Sequence, residues 1–510
     1  MTGVFDTTSG RVSGRAPDRG VVAVLGIPYA EPPFGAGRFR EPRPRRAWEG
    51  IRDCVEYGPV SPQSAELPGA PSWAPGDEDI LSLNVWTPVR ELGAEDRRLP
   101  VLVWIHGGAY TFGSSAQPDF DGTALALAGL VVVTLNYRTG FEGFGHVPAH
   151  GEDPCPPNRG LLDQIAALEW VRDNIASFGG DPGNVTAAGQ SAGATSVACL
   201  MTVDAARGLF RRAIAHSAVG PVFDPEFAEH LMREVAAAAG TAATHAGLAA
   251  ASPQALVRAS DAVVEGYRQG PRSGPLSWDP VIFGPVADGH FLRADPLDLI
   301  AAGAAPAIDL LVCHTTQEYW LMGAVGGCAE VTTEGELARF VQDFGLPDSL
   351  PAGYRRLVPD ATVRDVQLAV YGDLSFGEYS NRIAAGHART GGRTYLSRFV
   401  RQRGGSGPGV YAWHCADIPF AFGNLAEESV QFLIGGPPTP SDHRLSERMV
   451  ASWAGFAATG DPGWEPLDDA SPDSIRIWGT ADPAAGPEFW RDDSALRGLW
   501  SGFTYRPDQH

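Results

Sequence analysis

The sequence predicts an α/β fold with a large, mainly parallel sheet covered by helices on both faces. Four short apolar runs point to buried strands: 101–105 (VLVWI), 131–136 (VVVTLN), 185–188 (VTAA) and 308–313 (IDLLVC). They are short, mainly apolar and rich in β-branched residues, the pattern of buried strands. A helix with one apolar stripe lies between the second and third runs, so strand and helix alternate. The chain has 510 residues, 44% hydrophobic and 19% charged, which is enough for a sizeable core and too apolar for disorder. A length prior of about 150 residues per domain suggests roughly three domains. Large α/β units often run longer, and one unit spanning 1–510 is expected, with a helical insertion around 224–264.

The helix starts near Leu161. Ile165, Leu168, Val171, Ile175 and Phe178 follow at three- and four-residue steps. Asn158 is the expected cap, and Gly179, Gly180 and Pro182 are expected to end it. The stretch 224–264 is Ala-rich and reads as helical. GGSGPG at 404–409 predicts a surface loop, because patterned sequence resumes at once with VYAWH. Met449–Thr459 reads as a further amphipathic helix. No fixed-period repeat occurs, which argues against a solenoid or propeller.

Composition removes several functions. Asp plus Glu total 60 against 39 basic residues, for a net charge of -21. With no basic run, nucleic-acid binding is not expected. All 39 basic residues are Arg. Without Lys there is no Schiff-base amine, no Walker-A lysine and no Ser-Lys dyad. The cysteines at 54, 155, 199, 313, 328 and 415 are scattered and have no metal-ligand spacing. Reduced thiols in a cytoplasmic protein are expected. The N-terminus lacks the apolar stretch of a signal peptide, and no window reaches 18 apolar residues. No metal, cofactor or membrane partner is expected; the expected partner is a small molecule, and the expected assembly a monomer.

Gly189-Gln190-Ser191-Ala192-Gly193 follows the 185–188 strand and precedes a small-residue helix. GxSxG alone is weak, but at a sharp strand-to-helix turn the flanking glycines let neighbouring chain pass without a Cβ clash. Ser191 would then sit at a helix N-terminus, where unpaired amides favour developing negative charge and the Ala192 amide can donate to an oxyanion. After VLVWI comes His106-Gly107-Gly108-Ala109-Tyr110, a run whose small residues leave amides unshielded. Gly108 and Ala109 are the expected donors, with Gly107 in support.

In such a site the acid and then the base follow the serine along the chain. Nine His lie beyond Ser191, at 216, 230, 245, 290, 314, 387, 414, 443 and 510, so order alone does not choose. His414 stands out because it lies in a loop between the Gly-rich stretch and an apolar segment; His314, at a strand end, reads as structural. For the acid, Glu318 follows the IDLLVC strand, and Asp288 and Asp417 compete with it. Tyr110, Phe112, Trp320, Trp413 and Phe420 lie near the motifs and are expected mainly as core.

With these residues in place, the chain resembles the type-B carboxylesterase family, the cholinesterase-like branch of the α/β-hydrolases, and among them the bacterial para-nitrobenzyl-esterase-like members. GIPYAEPPFGAGRF at 26–39, EDILSLNVWTP at 78–88, LVWIHGGAYTFG at 102–113 and VVVTLNYRTGFEGFG at 131–145 carry the resemblance. So do the segment 158–194 through the elbow, FGPVADG at 283–289, TTQEYW at 315–320, AWHCADIPFAFGN at 412–424 and SWAGFAATGDP at 452–462. The resemblance implies an α/β-hydrolase fold and ester hydrolysis through an acyl-enzyme on Ser191, with His414 as base and Glu318 as its carboxylate. Action on amides, carbamates or polymeric esters, or a non-catalytic binding role, are the alternatives. Three positions depart from the family pattern: Gln190 where Glu is commoner, Ile80 where many secreted members carry Cys, and HTTQEYW in place of an Asp-Glu-Gly acid motif.

Overall fold

The computed structural model describes residues 3–64, 72–89, 98–149, 151, 155–220, 222–325, 327–403, 410–467, 474–479 and 493–505. The expected loop at 404–409 lies outside the described residues. Among the described residues, twelve strands occur in chain order: β1 (Val4–Thr7), β2 (Gly10–Ser13), β3 (Val21–Pro28), β4 (Ile51–Asp53), β5 (Ser82–Pro88), β6 (Leu99–Ile105), β7 (Val131–Leu135), β8 (Gly180–Gln190), β9 (Arg212–His216), β10 (Asp309–Thr315), β11 (Thr394–Phe399) and β12 (Ile475–Trp478). Nine of them form one sheet in the order β12-β11-β10-β9-β8-β6-β7-β5-β3, and β1, β2 and β4 form a small second sheet. Among the described residues, only the β3–β5 and β5–β7 pairs of the large sheet are antiparallel.

Both faces of the large sheet are covered, which is why β6, β7 and β10 read as mainly apolar runs. Val101, Val103 and Ile105 of β6 point into one hydrophobic cluster, and Leu102 and Trp104 into the other. β10 divides in the same way, Leu310 and Val312 against Leu311 and Cys313. Three of the four predicted strands differ from the observed ones by two residues or fewer at each end. β8 begins five residues before the VTAA run, because Gly180 already pairs with Leu99 of β6.

Helix α1 (Arg159–Asn174) continues through a 3-10 turn to Phe178, and the whole predicted stripe is buried. Asn158 does stand at its start, but in the left-handed region and without capping through its side chain. Its amide instead bonds the N–H and C=O of Val286, 128 residues away. Gly179 ends the 3-10 turn at φ 81°, and Gly180 opens β8. Between β9 and β10, the Ala-rich stretch holds helices Pro225–Ala238, His245–Ala250 and Pro253–Gln269. The helix expected at Met449–Thr459 runs Pro440–Thr459, nine residues longer at its start than its apolar pattern indicated, because a Thr439–Asp442 capping box sets its N-terminus.

A fully buried ion pair ties α1 to the chain beyond β7. Asp163 accepts from the Arg138 guanidinium at 2.8 and 2.7 Å and from its backbone N–H at 3.0 Å. Asp163→Ala would strand the Arg138 charge in a buried site. Breaking such a pair from one side costs about 3–5 kcal/mol, and urea unfolding of the variant is expected to show a loss of that order.

Candidate active site

Four strand ends meet at one edge of the sheet. The parallel register sets Ile105 of β6 beside Gly189 of β8, Gln190 beside His216 of β9, and His216 beside Cys313 of β10. The segments that follow therefore leave the sheet side by side at the carboxyl ends of the strands, where open α/β sheets bind ligands.

Ser191 joins β8 to helix α2 (Ala192–Thr202) with φ 57° and ψ -125°, a conformation costly for a residue with a Cβ. Its N–H donates to His216 O at 2.8 Å, and its carbonyl accepts from Thr195 N–H at 3.0 Å. The glycines make this turn possible. A Cβ on Gly193 would stand 2.1 Å from Ile105 O, and one on Gly189 would stand 2.5 Å from the Gly193 carbonyl. Thus the spacing of the motif reflects two backbone approaches that no side chain would allow.

The 106–110 segment lies directly against this turn, since a Cβ on Gly107 would come 3.1 Å from Ser191 Cβ. Gly108, Ala109 and Tyr110 all have positive φ, at 106°, 48° and 57°. Two of them are not glycine, so surrounding contacts must hold the loop. His106 does much of this. It is buried, stacks on Tyr137 at 4.5 Å and bonds Gly107 O through Nδ1 at 2.8 Å. Burial outweighs that bond and pulls its imidazole down to about 4, so the ring is neutral and Nδ1–H donates. Among the described residues, the amides of Gly108 and Ala109 donate to no backbone or side-chain acceptor, and the Ala192 amide is the first of α2, where no intrahelical partner exists.

Across from the turn, His414 Nδ1 lies 2.6 Å from Glu318 Oε2. The other carboxylate oxygen accepts from Ser217 Oγ at 2.6 Å and from Thr315 N–H at 2.7 Å. Backbone bonds hold the two loops together: His414 N–H donates to Glu318 O at 3.1 Å, and Gln317 N–H to Ala412 O at 2.9 Å. Phe376 covers the imidazole, with ring centroids 4.3 Å apart. Burial alone would pull the His414 pKa down, but Cys415 and then Glu318 outweigh it and hold the ring well above the usual 6.5. Burial also pushes the Cys415 thiol above its ordinary value.

The competing acids go elsewhere. Asp417 bonds His216 Nδ1 at 2.7 Å, and Asp288 accepts from His290 and Leu292 N–H in its own turn. His314 receives Arg398 Nε at 3.0 Å between β10 and β11. Tyr110, Trp320, Trp413 and Phe420 are buried, and Phe112 is half-buried. Glu318 and His414 are thus joined directly. Ser191 lies beside them through its neighbour: the hydrogen bond at His414 Nε2 is to the Gln190 side chain, at 2.8 Å, and among the described residues none joins that nitrogen to Ser191 Oγ. Sequence reading missed Ser217 and the contact of Gln190. RAIAHS at 212–217 holds a strand whose end carries Ser217, but its Arg and His hide the apolar run.

These features have parallels among known proteins. The carboxylesterase family model matches residues 2–344 and 356–480. The para-nitrobenzyl esterase of Bacillus subtilis is 33% identical over 471 residues, covering 91% of each chain. The fumonisin B1 esterase of Sphingopyxis macrogoltabida is 35% identical over 472 residues, covering 90% of this chain and 82% of the relative. A carboxylesterase structure from Geobacillus stearothermophilus matches with a TM-score of 0.80 at 33% identity, covering 98% of this chain and 99% of that one. A likeness of that extent in sequence and in fold means that the chain belongs to the carboxylesterase family: it has the α/β-hydrolase fold and hydrolyses carboxylic esters.

Proposed function

We propose that ester hydrolysis runs through an acyl-enzyme on Ser191, with His414 as general base and then acid and Glu318 as the carboxylate that orients it. The observation carrying this reading is the 2.6 Å bond between His414 Nδ1 and Glu318 Oε2, with a strained serine one residue from the group at Nε2. His414 Nε2 takes the Ser191 proton as Oγ attacks the ester carbonyl. The amides of Gly108, Ala109 and Ala192 receive the oxyanion, with Gly107 letting the loop approach. On collapse His414 returns the proton to the leaving alcohol, and water repeats the cycle to release the acid.

The substrate we propose is a small ester. The relatives named para-nitrobenzyl esterase and fumonisin B1 esterase support an ester as the substrate class. One hydrolase unit over 1–510, acting as a cytoplasmic monomer without nucleic acid, completes the reading. Free thiols at Cys54, Cys199, Cys313, Cys328 and Cys415 support a reducing compartment. No described helix is long and apolar enough to cross a membrane.

The test is a panel of p-nitrophenyl esters of rising acyl length, followed by an organophosphate whose adduct is mapped by peptide mass spectrometry. The adduct is expected on Ser191; an active protein labelled elsewhere would refute the assignment. The pH dependence has a definite sign. The base works only when neutral, and its pKa is raised. The acid limb of kcat/KM for an uncharged ester is therefore expected above pH 6.5, with activity lost as pH falls through it.

A further inference from the structure

Gln190 occupies a place that the elbow motif does not require of it. It ends β8 beside His216, is buried, and sets its amide nitrogen 2.8 Å from His414 Nε2. Glu318 holds the other ring nitrogen. A neutral imidazole protonated on Nδ1 has one lone pair, at Nε2, and that lone pair is the one the Ser191 hydroxyl must reach. Two donors therefore compete for one acceptor. We propose that Gln190 is a positioning residue whose amide holds His414 Nε2 in the resting enzyme and cedes it to Ser191 Oγ when substrate enters.

The inference rests on the roles given to Ser191 and His414 above. An amide suits this task because it can meet the ring in both protonation states. It donates N–H to the neutral ring; turned over about its last, broad torsion, it accepts Nε2–H from the imidazolium through Oε1. A carboxylate at 190 could only accept, and its charge would keep on the ring the proton that catalysis needs removed. The loop facing Gln190 leaves room for the amide: a Cβ on Gly107 would stand 2.7 Å from Gln190 Oε1 and 2.8 Å from its backbone oxygen.

The other groups around the ring stay constant when Gln190 is changed. Glu318 faces it from the segment after β10, and Cys415 from the ring's own loop. Asp417 and Asp119 act on Cys415, and Asp417 is itself paired with His216 at the end of β9. Phe376, on the segment Asp373–Gly377, presents an uncharged ring.

The test is the near-isosteric Gln190→Glu variant of the full chain, with kcat/KM for p-nitrophenyl acetate measured across pH. An opposite charge in contact raises a pKa by about 1–3 units. The acid limb is expected to move up by at least about one unit, a relative loss of about tenfold or more below it, with the alkaline plateau kept within a few-fold. An unmoved limb, or an equal loss at every pH, overturns the proposal. NMR of labelled histidine in Ser191→Ala and in Ser191→Ala/Gln190→Glu reads the His414 titration without turnover, and the same upward displacement is expected. Its absence refutes the role of Gln190 alone, whereas organophosphate labelling away from Ser191 refutes the nucleophile alone. If Gln190→Glu fails to fold, 15N shifts of the His414 ring in the unaltered chain decide. Once the ring is neutral, Nδ1 should carry the proton and Nε2 should accept; the opposite tautomer overturns the proposal.

Discussion

Ser191→Ala is expected to abolish turnover of p-nitrophenyl esters while leaving the protein folded. Loss of a triad nucleophile costs about 10^6-fold in kcat, the residue of activity coming from the oxyanion donors and binding. The fold should survive, because the strain at Ser191 is backbone strain held by Ser191 N–H to His216 O and by the two flanking glycines, none of which needs the hydroxyl. Alanine keeps the same Cβ in the same conformation. Active-site titration and circular dichroism on one preparation check both halves. Near-normal hydrolysis by a folded Ser191→Ala protein would remove the serine from the mechanism.

Glu318→Gln is expected to lower kcat by about 10^4-fold, the scale of a tautomer inverted by losing an orienting carboxylate. The direction follows from the three donors around Glu318. Ser217 Oγ and Thr315 N–H both point at one oxygen, and His414 Nδ1 faces the other. A glutamine has one oxygen and one NH2. With its oxygen kept toward Ser217 and Thr315, the NH2 faces Nδ1, which must then accept. The ring proton moves to Nε2, and the lone pair that would take the Ser191 proton is gone. Removing the carboxylate also removes a charge that raises the His414 pKa. The remaining activity should therefore have its acid limb at lower pH than the unaltered enzyme. A variant with full kcat, or with an unmoved limb, would show that Glu318 does not orient the base.

Much of this was legible locally. The stripe of α1 repeats at helical spacing, and all of its positions are buried. The apolar runs of β6, β7 and β10 mark strands covered on both faces. β5, β9 and β11 escaped detection because Asn84 and Arg398 interrupt the apolar runs of β5 and β11, and Arg212 and His216 leave only three apolar residues between them in β9. Each is buried yet partnered, as with Asn84 Nδ2 to Thr134 Oγ1 and Arg398 Nε to His314. A buried polar side chain matched by a partner from a distant strand looks like surface in one dimension.

By itself, the sequence determined the strand-elbow-helix unit around Ser191, the glycine loop before it and the family, because those depend on neighbours within a few residues or on motif order along the chain. Only the tertiary structure decided which carboxylate meets His414, since Glu318, Asp288 and Asp417 are chemically alike and their partners are set by strand register. It also supplied Ser217 behind Glu318, 101 residues away, and Gln190 at Nε2, 224 residues from the histidine it touches. Hydrogen bonds of that separation leave no periodic trace in the chain; they exist because parallel strands end at one edge and bring their loops within bonding distance.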